Sequence, residues 1–197
     1  MARERTVRIL TFEELNDDQK KKVIENIRSH VEDDYNYVAG DMVTEFKYNL
    51  EQTYGMTDAD IAYSGFWSQG DGASFSCKYV DIPKFLNATN QQELLDKLSP
   101  HIDEIEANLE RIDTRYANSN TVKANVLFMG DNEIEEELGN ELNQLEELLD
   151  QFQKDESGRI YGELEDTYDH MTSDDSAIEY IHDNELEFNE DTLQIED

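Results

Sequence analysis

Apolar side chains recur at threes and fours through Val23, Ile24, Ile27, Val31, Tyr35, Val38, Met42, Phe46 and Leu50, a stripe that predicts one long amphipathic helix. The helix should open near Asp17, because Thr11-Phe-Glu-Glu14 and Asn16-Asp-Asp-Gln19 are consecutive capping boxes, and it should end before Gly55. Gly40 lies inside the stripe, at a cost of about 1 kcal/mol relative to alanine, and marks a place for a bend or break. Ahead of the helix, residues 6–10 read as a short extended segment.

The period then changes. Ile61, Tyr63, Gly65 and Trp67 alternate, Gly70-Asp71-Gly72 is a tight-turn signal, and Ala73, Phe75, Cys77 and Tyr79 alternate again, so residues 60–80 predict a β-hairpin. Asn90 and Ser99-Pro100 each read as a helix start, with Ile102, Ile105, Leu109 and Ile112 as the buried stripe of the second piece. A second hairpin follows, with residues 114–116 and 121–129 flanking the turn at 117–120 and Val122, Ala124, Val126 and Phe128 on one face.

Beyond Gly130 the helical period returns on Ile134, Leu138, Leu142, Leu145, Leu149 and Phe152. Residues 154–158 read as a joint before a further helix on Ile160, Tyr161, Leu164, Tyr168 and Met171, and Ser173-Asp-Asp175 caps a shorter one carrying Ile178 and Ile181. Leu186 with Phe188, and Leu193 with Ile195, alternate as in an edge strand, although the acidity of this tail fits fraying equally well. The expected architecture is α+β: a four-stranded antiparallel sheet from two hairpins packed on the long N-terminal helix. One domain should span residues 1–197, with a core over 1–130 and an acidic helical segment over 131–197.

Composition sharpens this picture. The 197 residues include 48 acidic and 16 basic side chains, a formal charge of −32, yet ten Tyr, eight Phe and one Trp favour a packed fold over disorder. Residues 131–197 hold only Lys154 and Arg159 as cations, so most of the excess negative charge sits in the last third. Such a field repels phosphate backbones and anionic lipid, which argues against direct nucleic-acid binding and membrane attachment and in favour of a basic partner. The single Cys77 builds neither an intramolecular disulfide nor a cysteine-based zinc site. No apolar run reaches the ~18 to 20 residues of a membrane span, and the cytoplasm is the expected compartment.

Candidate chemistry is sparse. His30, His101, His170 and His182 never pair at i, i+4, Asp58 with Asp60 and Ser173-Asp-Asp175 lack the pattern of a calcium loop, and Ser64, Ser68 and Ser76 have no partnered histidine motif. No cofactor, metal or catalytic residue is expected. The loop Trp67, Ser68, Gln69, Gly70, Asp71 and Gly72 presents backbone amides that suit a ligand, but the same residues are sufficient as a hairpin turn. The remaining feature is the carboxylate array Glu135, Glu136, Glu137, Glu141, Glu146, Glu147 and Asp150, whose three- and four-residue spacings set charges ~5 to 6 Å apart along a helix. That spacing is comparable to phosphates along a strand.

Phe12-Glu-Glu-Leu15 before a long helix, Ser64-Gly-Phe-Trp-Ser-Gln-Gly-Asp-Gly-Ala-Ser-Phe75, Ile160-Tyr-Gly-Glu-Leu164, Tyr168 and Phe188-Asn-Glu-Asp191 together resemble a widespread group of small phage and prophage proteins of unassigned function. The group often has a histidine where this chain has Asn118, and a glycine where it has Thr192. The resemblance implies an accessory protein acting in the cytoplasm of an infected bacterium. With the charge, it leads to the expectation of a non-enzymatic protein that inhibits a host nucleic-acid-handling or defence factor by presenting a DNA-like carboxylate surface to its basic groove. The alternatives are a small-ligand or nucleotide-binding module using the Trp67 to Gly72 loop, and an antitoxin-like neutraliser of a basic partner.

Overall fold

The computed structural model describes residues 8–112 and 115–196, apart from the side chains of His30, Glu32, Asp33 and Glu196. In chain order the elements are β1 (Ile9–Thr11), α1 (Asp17–Tyr54), β2 (Met56–Thr57), β3 (Asp60–Tyr63), β4 (Ala73–Ser76), β5 (Tyr79–Val80), α2 (Ile82–Ala88) and α3 (Gln92–Leu98). They continue with β6 (Ile105–Arg111), β7 (Val122–Phe128), α4 (Asn132–Met171), α5 (Asp174–Asp183), β8 (Glu187–Asn189) and β9 (Ile195–Glu196). Helix and strand are mixed, as the sequence predicts, and α1 is the expected long N-terminal helix. The chain forms two compact units, one from Met1–Gly40 with Glu165–Asp197 and one from Asp41–Leu164.

In the first unit, both capping boxes at the entry to α1 are formed. Glu14 Oε2 accepts from the Thr11 amide at 3.0 Å, and Asn16 and Gln19 exchange amide-to-side-chain bonds at 3.0 Å each. Ser173 Oγ accepts from the Ser176 amide at 3.1 Å and starts α5 as expected. The tail is ordered as two strands: β8 pairs antiparallel with β1, setting Leu10 opposite Phe188, and β9 pairs with β8. Leu10, Phe12, Leu15, Val23, Ile27, Ala177, Ile181 and Phe188 form the core beneath that sheet. Of the expected extended segment 6–10, residues 6 and 7 lie outside the described residues.

The second unit holds the hairpins, and here the expected four-stranded sheet is corrected. The β3–β4 ladder runs from Asp60 opposite Ser76 to Tyr63 opposite Ala73, and the β6–β7 ladder from Ile105 opposite Phe128 to Arg111 opposite Val122. A single bridge, Cys77 with Leu109, joins the two, and β5 pairs with β2 in the register of the β3–β4 ladder, so the hairpins do not merge into one sheet. Residues 60–80 form the expected hairpin, in two ladders of one register: Thr57 opposite Tyr79 and Met56 opposite Val80 continue the pairing of Asp60 with Ser76.

Three further expectations change. Pro100 begins a 3-10 turn, Ser99–Glu104, and the stretch after it is β6 and not helix. Ile105, Ala107 and Leu109 are buried while Glu106 and Glu110 are exposed, a period of two that outweighs the helical spacing. The first strand of the second hairpin is thus β6; of the predicted strand at 114–116, residue 114 lies outside the described residues and Tyr116 belongs to no strand. Residues 154–158 are no joint, since α4 is one helix of 40 residues, and α1 likewise continues through Gly40. Helix α2 is an addition, started by Asp81, whose side chain accepts from the Lys84 amide at 3.0 Å, with a proline in its first turn. Leu50, Met56, Phe75, Phe85, Leu86, Leu98, Leu109, Leu145 and Leu149 fill the core of this unit, and the Phe152 ring stands 5.3 Å from that of Phe85.

Candidate functional site

Helix α4 carries the carboxylate array, and its first 33 residues, 132–164, belong to the second unit. Asp131 starts the helix, its carboxylate accepting from the Glu133 amide at 2.8 Å, and the acids of the first turn complement the helix dipole. Leu145, Leu149, Ile160 and Leu164 turn one stripe into the core. At about 100° per residue the acids cannot all share the opposite face, and the seven predicted residues separate accordingly.

Glu135, Glu136, Glu137 and Glu147 are exposed, and no cation pairs with them among the described residues. Glu141 is half-buried and held by Lys97 at 3.4 Å. Asp150 faces the sheet, where its Oδ1 accepts from the Ala124 amide at 2.7 Å, so it serves β7 and not a partner. Glu146 is half-buried beside the core stripe. The sequence pattern left out Glu133, which is exposed and extends the outward group at the start of the helix. Further along, Glu156 is 8% exposed and is neutralised by Arg159, which also bonds Glu163. Those bonds hold the Arg159 proton more firmly than usual, and its guanidinium lies 5.3 Å above the Phe46 ring.

The Trp67 to Gly72 loop is a self-contained turn. Asp71 Oδ2 accepts from the amides of Trp67 at 3.1 Å and Ser68 at 2.6 Å, so this oxygen is occupied by its own loop and is not offered as a base. Ser64 and Gly72 close the neck, with the Ser64 amide on the Gly72 carbonyl at 3.0 Å and the Gly72 amide on Ser64 Oγ at 3.1 Å. Gly70 has φ +99°, and a side chain at Gly72 would strike Asn118 Cβ at 2.9 Å, which explains both glycines. Asn118 Nδ2 donates to the Gly70 carbonyl at 3.3 Å, and Tyr161 OH donates to that of Gly65 at 3.2 Å. The loop, the 117–121 turn and α4 thereby border an open notch of ≈ 320 Å³. Ser68 and Gln69 do not line it, and Trp67 projects 60% exposed outside it.

Sequence spacing missed the other half of this notch: Asn118, Ser119, Asn120, Ser157, Gly158 and Tyr161. The available signal was Gly158, a glycine inside a helical pattern with no turn to explain it. The remaining candidates have structural roles or no cluster. Asp58 pairs with Lys78 at 3.1 Å and Asp60 with Lys47 at 3.5 Å. His101 contacts Glu104 at 3.0 Å and His182 contacts Glu13 at 3.3 Å. No group of three or more metal-ligating side chains gathers among the described residues, and no helix there is long and apolar enough to cross a membrane. Burial pushes the Cys77 thiol up to about 11, against weaker opposing hydrogen bonds from the Leu109 and Tyr79 backbone.

A family model described as a domain of unknown function, DUF8835, matches residues 31–174. No curated protein and no solved structure matches the chain.

Proposed function

We propose that this chain, which belongs to the DUF8835 family, is an acidic binding protein that occupies the basic groove of a host nucleic-acid-handling or defence protein as a DNA strand would. The observation that carries this reading is the opening of α4. There Glu133, Glu135, Glu136 and Glu137 stand exposed within two turns and without a cation among the described residues. Exposed carboxylates are already hydrated, so a cationic groove replaces water and counterions around them at little desolvation cost. Helix geometry fixes their spacing, as mimicry of a phosphate row requires, and Leu145, Leu149, Ile160 and Leu164 anchor the same helix in the core further along. The resemblance to phage and prophage proteins supplies the setting, the cytoplasm of an infected bacterium.

Affinity capture from host cells at low and high salt tests the proposal. The full chain should retain a basic protein that elutes with salt and exchanges onto duplex DNA. A variant with glutamine at 133, 135, 136 and 137 should retain it at least tenfold less. Equal retention by both chains, or a captured protein indifferent to DNA, would end this reading, the second result favouring an antitoxin-like role instead. A second reading, a small-ligand module at the Trp67 to Gly72 loop, is favoured by the notch beside that loop.

A further inference from the structure

The notch gathers three features that the packing of this unit does not require. Gly158 lies in the middle of α4, where glycine is destabilising relative to alanine, and a Cβ built there meets nothing within 4 Å. No neighbouring atom demands glycine; what it keeps open is the notch that it lines. Beneath it lies a polar pair in the buried stripe of α4, Gln153 and Ser157, each 1% exposed, with Gln153 Nε2 donating to Ser157 Oγ at 2.9 Å. Gln153 Oε1 has no hydrogen-bond partner, an expensive omission in a core, and Ser157, which lines the notch, retains a hydroxyl proton to donate. Aromatic rings stand at the lip: Tyr116, half-exposed, passes 3.7 Å from the position a Gly70 Cβ would take, and the Phe66 ring lies 5.5 Å from that of Tyr161, tilted by 45°.

The lining also selects a ligand class. Among the described residues no cationic side chain lines the notch, Arg115 lying over the Tyr116 ring at the lip, and the −32 charge of the chain repels phosphates, so a nucleotide is disfavoured. A cation finds little, because Asp71 is the one carboxylate in the lining and its Oδ2 is filled by two backbone amides. A flat base would need two facing planes, whereas Tyr161 is the one ring in the lining and the other walls are mostly glycine, serine and asparagine, which place donors and acceptors at several heights. That arrangement suits a neutral, non-planar ring with many hydroxyls. We propose that the notch binds a pyranose residue of a neutral glycan, its hydroxyls bonded by Asn118 and Asn120 and its apolar edge against Tyr161. This inference rests on the second reading above and is independent of the first.

Titration of the full chain, followed by amide NMR shifts, with glucose, galactose, mannose and N-acetylglucosamine tests it, with adenosine and inorganic phosphate as separate arms. At least one sugar should give saturable shifts at Gly70, Gly72, Asn118 and Asn120. Gly158→Leu, which fills the notch, should weaken binding at least tenfold. Gly162→Leu, one turn further on and outside the notch, should leave it unchanged. Saturable shifts from adenosine or phosphate in place of every sugar would overturn the glycan assignment while leaving a small-ligand module. Silence in all arms, or sugar shifts unchanged in Gly158→Leu, would overturn the site itself.

Discussion

Glu136 and Glu156 stand about 30 Å apart along one helix and meet opposite fates. Glu136 is exposed and without a cation among the described residues; Glu156 is 8% exposed and held by Arg159. Position along α4, and not residue type, decides which carboxylates belong to the fold. Where sheet and helices cover the chain, three acids have counterparts: Asp150 takes the Ala124 amide, Glu141 takes Lys97, and Glu156 takes Arg159. Where α4 begins, no such cover exists and the charge is left for solvent or a partner. Cys77 shows a third solution, because a buried acid without a counter-charge keeps its proton.

The sharpest way to break this contrast is to remove the cation from the buried end. Arg159→Met leaves Glu156 without its partner and should cost about 2 to 3 kcal/mol in urea unfolding, below the usual cost of breaking a buried pair because Arg159 is itself partly exposed. Replacing Glu156 and Arg159 together by methionine should recover most of that loss. A recovery near zero would mean that the pair orders the helix through something other than charge.

A somewhat smaller effect concerns Cys77. Its thiol has an ordinary value of 9.0 and is raised to about 11 in the fold. Between these values the folded chain holds more protons than the unfolded one, so the stabilising contribution is complete below pH 9 and is lost as pH rises toward 11. Urea midpoints measured across that window should fall more steeply for the native chain than for Cys77→Ala, by about 2 kcal/mol in total. Parallel curves would contradict the raised thiol.

Gly158→Ala should raise stability by up to about 1 kcal/mol in thermal or urea unfolding, because the new methyl group meets open space and the helix gains propensity. At the open end of the helix, Glu136→Gln with Glu137→Gln should change stability by less than about 0.5 kcal/mol, the expectation for exposed groups without partners. A loss as large as that of Arg159→Met would show these acids to be structural after all.

Much of this architecture is legible from local chemistry. The boxes at Thr11 and Asn16 and the cap at Ser173 carry their own hydrogen-bond partners three residues on, so spacing alone locates them. The stripe from Val23 to Leu50 holds because Val23, Ile27, Tyr35, Phe46 and Leu50 are buried. Strand β6 escaped because Ile105 and Leu109 are four apart, a spacing that suits a helix turn and a strand face alike, and pairing with β7 decides between them. The continuity of α4 escaped for a related reason: residues 154–158 have a polar, loop-like composition, yet Gln153, Glu156 and Ser157 face the core and bond within the helix or to Arg159. The site was half visible. The glycines of the Trp67 to Gly72 loop announce a turn, but Asn118 and Tyr161 reach it from elements far along the chain, and no local pattern encodes that meeting. Nor does a count of acids show that Ala124 and Lys97 have already engaged two of them.

The central claim is that the exposed acids at the start of α4 are matched to a cationic groove, and the salt dependence of binding to the captured partner tests it most directly. For the native chain, log Kd against log salt should be steep, and the chain with glutamine at 133, 135, 136 and 137 should show a shallower slope and at least tenfold weaker binding at low salt. Identical slopes and affinities for the two chains would contradict the account.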